Sequence, residues 1–153
     1  MNDLLKELYQ EIILDHGQEP RNFGTCENHN KSADGHNPLC GDKVHLSFYL
    51  DENDIINDIK FSGEGCAISI ASASLMTEKL KGMKLSEAQS IFNDFTKLVK
   101  GDADTLEILN DEDSLYALKG VEAFPMRVKC ATLSWHTLVS AMENEGKEVS
   151  TES

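Results

Sequence analysis

The chain has 153 residues, a length that suits one domain and buries roughly 68–70% of its unfolded surface without a covalent staple. Its 14 Lys and Arg face 27 Asp and Glu, and the formal charge of -13 argues against nucleic acid or an anionic membrane as partner, favouring a protein with a basic dock. Charges break the N-terminal apolar run and no stretch reaches about 18 apolar residues, so a soluble, cytoplasmic chain is expected, whose 4 scattered cysteines suit metal or catalytic use rather than disulfides.

In chain order, Leu4, Leu5, Leu8, Tyr9, Ile12 and Ile13 recur at helical spacing behind an Asp3 cap, and Gly17 and Pro20 are expected to end that helix. Residues 21–42, rich in Asn, Gly, His and Pro, read as irregular. Val44, Leu46, Phe48 and Leu50 then alternate with Lys43, His45, Ser47 and Tyr49, the pattern of a half-buried strand. The polar turn Asp51-Glu52-Asn53-Asp54 leads into a second strand over residues 55–61, so the pair predicts an antiparallel hairpin whose far end delivers Gly63-Glu64-Gly65-Cys66.

Residues 67–80 predict a helix with small side chains at Ala67, Ala71, Ser72, Ala73 and Ser74, stopped by Lys81-Gly82. In the next helix Ser86 and Gln89 fit a capping box, Leu85, Ala88, Phe92, Phe95 and Val99 form an apolar stripe, and Gly101 lies past the end. The acidic run over residues 102–112 lacks the spacing of a calcium loop and reads as a solvated loop. A short helical pattern at residues 114–119 closes at Gly120, and Pro125 opens a last helix bearing Val128, Leu133, Trp135, Leu138, Val139 and Met142. Residues 1–145 form a single domain and residues 146–153 a disordered polar tail. The class is α+β, a small antiparallel β-sheet packed against several α-helices.

Three cysteines and one aspartate carry the chemistry. Cys40 and Asp42 stand in Asn37-Pro38-Leu39-Cys40-Gly41-Asp42, Cys66 follows Gly63-Glu64-Gly65 at a helix start, and Cys130 lies in the early turns of the last helix. Together they offer four anionic ligands, enough for a closed zinc site or for an iron-sulfur cluster. The thiolate is the form that binds metal or carries sulfur, and the candidates have help in ionising nearby: exposed helix amides at Cys66, Arg127 and Lys129 beside Cys130, and Lys43 following Asp42. The glycines flanking Cys66 leave room for a bulky ion or sulfide. Because three thiolates and a carboxylate around a divalent ion leave a net charge near -2, a fixed cation is expected, and Arg127, one helical turn from Cys130, is the choice. Cys26, outside any motif, reads as a small apolar core residue. His16, His29, His36 and His136 read as surface or packing residues, and His45 falls on the polar face of its strand.

The motifs around Cys40, Gly63-Glu64-Gly65-Cys66-Ala67-Ile68-Ser69 and Arg127-Val128-Lys129-Cys130-Ala131-Thr132-Leu133-Ser134-Trp135 form a recognisable set. The chain resembles the U-type iron-sulfur cluster assembly proteins from Leu4 through roughly Glu145, including Asp15-His16 and Pro20-Arg21-Asn22. Within that family it is more similar to the SufU branch. Isc-type scaffolds place a histidine directly before the third cysteine where this chain has Lys129, and the long stretch between Cys66 and Cys130 resembles the SufU insertion.

The resemblance implies that Cys40, Asp42, Cys66 and Cys130 bind one zinc ion, and that the protein acts as a zinc-dependent sulfurtransferase with Cys40 accepting persulfide sulfur. The implied partners are a SufS-type, PLP-dependent cysteine desulfurase and downstream iron-sulfur assembly or apo-protein recipients. The alternative it leaves open is a scaffold on which Cys40, Cys66 and Cys130 hold an iron-sulfur cluster that is then transferred. A noncatalytic zinc-stabilised adaptor is a third class. A Cys-His hydrolase is disfavoured, since no histidine pairs with a cysteine in sequence and no oxyanion motif is visible.

Overall fold

The computed structural model describes residues 9–38, 40–143 and 148–150. The alternation over residues 43–50 becomes the central strand β2 (Asp42–Leu50), with Val44, Leu46 and Phe48 buried. It pairs antiparallel with β3 (Ile56–Glu64) through the expected hairpin, and on its other side with β1 (Lys31–Asn37). β1 corrects the expectation that residues 21–42 are irregular. Its sequence, KSADGHN, has a single apolar side chain, Ala33, so pairing with β2 rather than intrinsic propensity makes it a strand. A fourth strand, β4 (Glu148–Ser150), pairs parallel to β1 and completes the order β3-β2-β1-β4. That segment lies within the stretch expected to be a disordered tail.

Leu4, Leu5 and Leu8 of the expected first helix lie outside the described residues. Helix α1 (Glu11–Gln18) follows and passes through Gly17 instead of stopping there, with Gly17 set against Ala67. Helix α2 (Ala67–Leu80) takes the bounds its sequence suggests and is buried on nearly every side. Helix α3 (Leu85–Val99) carries the expected stripe, but the Ser86 capping box does not form. The N-cap position is Lys84, without a side-chain cap, and the Leu85 N–H donates to the Asp54 carbonyl at 2.9 Å, so a tertiary partner satisfies the helix start. The short pattern at residues 114–119 is a 3₁₀ segment, Ser114–Ala123, that continues past Gly120. Pro125 does open the last helix, α4 (Pro125–Glu143).

Helices α2 and α4 pack together, and α4 lies on β1 and β2. Their small residues let one hydroxyl join the two helices: Ser72 Oγ donates to the Ala131 carbonyl at 2.5 Å and accepts from Trp135 Nε1 at 3.1 Å. Trp135 stacks on Phe95 with ring centroids 4.5 Å apart. Burial of side chains such as Trp135, Phe48, Phe61 and Phe95 supplies the main driving force, about 1.5–3 kcal/mol each.

The acidic run is clasped rather than freely solvated. Asp94 is buried on α3, and its carboxylate accepts the N–H groups of Glu107 at 3.0 Å, Ile108 at 2.7 Å and Leu109 at 2.8 Å. Burial alone would raise its pKa, but these amides outweigh it and hold the carboxyl below its ordinary range. Further along, Asp113 accepts from Lys79 Nζ at 2.5 Å and caps the Leu115 N–H at 2.9 Å, tying the 3₁₀ segment to α2. No helix of the described residues is long and apolar enough to cross a membrane.

Candidate metal centre

The β1–β2 hairpin builds the first half of the site. Asn37 pairs with Asp42 across the ladder, so Cys40 sits on the tight connection between them. The Asn37 carbonyl accepts the N–H groups of Cys40 at 3.3 Å and Gly41 at 2.8 Å, and Gly41 takes a φ of 75°, the left-handed conformation that glycine adopts without a Cβ clash. Asp42 then opens β2 with its side chain inward, fully buried.

The second half arrives with β3. Pairing of Lys43 with Glu64 lays the end of β3 beside Asp42, so Gly65 and Cys66 follow directly, Cys66 at the N-cap position of α2. The Cys66 N–H donates to Asp42 Oδ1 at 3.0 Å. A Cβ on residue 65 would stand 2.5 Å from that oxygen. The space left by Gly65 therefore holds the Asp42 carboxylate, not the bulky ion or sulfide expected from sequence.

Cys130, on the second turn of α4, is 0% exposed, and its Sγ lies 3.6 Å from Cys40 Sγ. Ligand atoms of Cys40, Asp42 and Cys130 all fall within 4.8 Å of one another. Cys66 is outside that tight group but adjoins it, since its N–H is bonded to the Asp42 carboxylate. Arg127 Nη1 stands 4.0 Å from Cys130 Sγ. Although burial works against the guanidinium's charge, its hydrogen bond to Cys130 and the negative groups around it raise its pKa overall. Lys129 is half-buried. One neighbour carried no role in the sequence reading: Asn37, 0% exposed, whose Nδ2 donates to Cys130 Sγ at 3.8 Å.

The thiols respond unequally to this crowding. Cys66 is pushed down to about 6, chiefly by its interaction with the Cys130 thiol and also by the Ser69 N–H. Cys130 is pushed far up by its interaction with Cys66, by burial and by the neighbouring Asp42 carboxylate, so a second thiolate beside the first is resisted. A cation removes that conflict. The fit of the residues to one rests on Asp42 Oδ2, which is fully buried and has no hydrogen-bond partner. A buried carboxylate oxygen left in that state is costly, and beside the Cys40 and Cys130 thiols a metal ion is the partner its chemistry calls for. Soft sulfur with one hard oxygen suits zinc or iron better than calcium or magnesium.

The remaining candidates stand elsewhere. Cys26 is buried at a cavity of about 340 Å³ with Asp58 and Lys60, and burial, then Asp58, pushes its thiol pKa up. His16 is buried with Nδ1 2.7 Å from Ser74 Oγ, and burial pulls its pKa down. His45 Nδ1 meets Asp34 Oδ1 at 2.8 Å on the outer side of the hairpin, and His36 is half-buried in β1.

Comparison with known proteins places the chain. The family described as NifU-like N terminal domain matches residues 8–131. A Bacillus subtilis (strain 168) protein named zinc-dependent sulfurtransferase SufU is 43% identical over 144 residues, covering 94% of this chain and 95% of that protein. A Streptococcus pyogenes serotype M1 protein named iron-sulfur cluster assembly scaffold protein IscU is 37% identical over 139 residues, covering 91% and 85%. The crystal structure of a protein from Fervidobacterium islandicum AW-1, described as a putative iron-sulfur cluster assembly scaffold protein for the SUF system, superposes with a TM-score of 0.78 at 34% identity. That superposition covers 90% of this chain and 98% of the other. With a family match over most of its length, and a relative 43% identical along nearly all of it, the chain belongs to the NifU-like N-terminal domain family.

Proposed function

We propose that this protein accepts persulfide sulfur from a SufS-type, PLP-dependent cysteine desulfurase and carries it into iron-sulfur cluster assembly, with zinc held by Cys40, Asp42, Cys66 and Cys130. The observation that carries this reading is the buried, unpartnered Oδ2 of Asp42, whose carboxylate lies close to the Cys40 and Cys130 thiols. The name of the B. subtilis relative supports zinc and sulfur transfer. A bound zinc ion would supply the Lewis acidity that keeps these thiols ionised at neutral pH.

The chain's own residues divide the remaining work. Cys130 is fully buried; Cys40 and Cys66 are both half-buried, but Cys66 is fixed at the head of a helix, whereas Cys40 sits on a turn and is the thiol an incoming persulfide reaches. In the transfer, the Cys40 thiolate attacks the outer sulfur of the desulfurase persulfide. A new S–S bond forms at Cys40 as the old one breaks, and the desulfurase cysteine leaves as a thiolate, with no net oxidation or reduction. Arg127 stays beside Cys130 to balance negative charge.

The test uses one oxygen-free preparation, by elemental analysis and then by a desulfurase assay. Near-stoichiometric zinc, with desulfurase stimulation that Cys40→Ala abolishes, is the expected result. Stimulation retained by Cys40→Ala overturns Cys40 as acceptor. The alternative, a scaffold on which a cluster is built at the same residues, is favoured by the name and identity of the S. pyogenes relative. Iron with acid-labile sulfide in a stable, transferable cluster would select it.

A further inference from the structure

We propose that Asn37 is a positioning residue for this centre, gripping the anchor thiol of Cys130 with its side chain while its backbone carbonyl holds the turn that carries Cys40. The inference rests on the metal-binding reading above. Asn37 ends β1, where its ladder partner is Asp42, and it is fully buried. Its carbonyl takes the N–H groups of Cys40 and Gly41, and its Nδ2 donates to Cys130 Sγ at 3.8 Å. One residue thus touches three of the four candidate ligands, through the β-ladder, the turn and the side chain.

The chemistry of this arrangement is directional. An amide N–H aimed at sulfur has its best acceptor when that sulfur is an anion, so Asn37 favours Cys130 in the form that binds metal. It also draws charge from the sulfur lone pairs, from a different residue than Arg127, whose Nη1 lies at 4.0 Å. Donors behind a ligand orient it and tune the metal it holds.

The experiment loads wild type, Asn37→Leu and Asn37→Ala with cobalt(II) and records sulfur-to-cobalt charge-transfer absorption alongside retention against a chelator. Leucine keeps the shape of asparagine without the donor, and alanine serves if leucine does not fold. Both substitutions retain the backbone carbonyl. Loss of the N–H raises the energy of the sulfur lone pairs, so the band is expected to move to longer wavelength, with metal retention weakened about 10-fold or more. A purely structural role would lower the melting temperature and leave the band in place. An unmoved band in the folded variants overturns the role of Asn37 while the metal reading stands; wild type that takes up no cobalt overturns both.

Discussion

Asp42 bonds with one oxygen and leaves the other open. Oδ1 accepts the Cys66 N–H and so fixes the head of α2, while Oδ2 is buried without a hydrogen-bond partner. This division depends on the missing side chain of residue 65, because a Cβ there would press on Oδ1 at 2.5 Å. Gly65→Ala should therefore displace the carboxylate and weaken metal retention about 10-fold or more, the scale on which misplaced support around a ligand acts. Chelator competition measures it, and retention equal to wild type would show that the carboxylate does not need that space.

Among the elements, α3 and the segment behind it show how a sequence can misdirect. Residues 102–112 are strongly acidic, yet Asp94 gathers three backbone N–H groups and holds part of that run against the domain. Asp94→Asn should cost about 2 kcal/mol, since hydrogen bonds to a charged group are worth about 1.5–3. It should also remove amide-exchange protection at residues 107–109. The pH dependence follows from the depressed folded pKa. The Asp94 contribution is fully present above the unfolded carboxylate value, about 3.9, and is lost as pH falls through the lower folded value. Melting curves from pH 6 to pH 3 should show a smaller acid loss in Asp94→Asn than in wild type; equal losses would remove Asp94 from the acid response.

On the scale of the whole molecule, the core includes Cys130 and has Cys40 and Cys66 packed against it, but it extends well beyond the candidate metal centre. The buried apolar side chains lie between the sheet, α2, α3 and α4, and most of them make no use of the four ligands. Removing a bound metal should therefore lower stability without unfolding the domain. An ion at about 1,000 times its dissociation constant contributes about 4 kcal/mol, which for a chain of this size corresponds to a melting shift of roughly 8–16 °C. A chelator titration followed by calorimetry measures that shift. Complete unfolding on chelation at 25 °C would instead favour the zinc-stabilised adaptor.

The β2–β3 hairpin, the bounds of α2 and the opening of α4 at Pro125 were legible because hydrophobic periodicity and local stop signals act within a few residues. The three cysteine-bearing motifs and Arg127 could be named from residue types and the family resemblance. β1 was not legible, because a strand of mostly polar and small residues exists only through its partner β2. The role of Asn37, the use of the space at Gly65, and the clasp made by Asp94 likewise join positions distant in sequence, and no local pattern encodes such meetings. The sequence by itself determined which groups can ionise and ligate. Only the tertiary structure decided which sulfur is buried, which is half-buried on a turn, and which carboxylate oxygen is left for a cation, because burial and contact are properties of the packed chain.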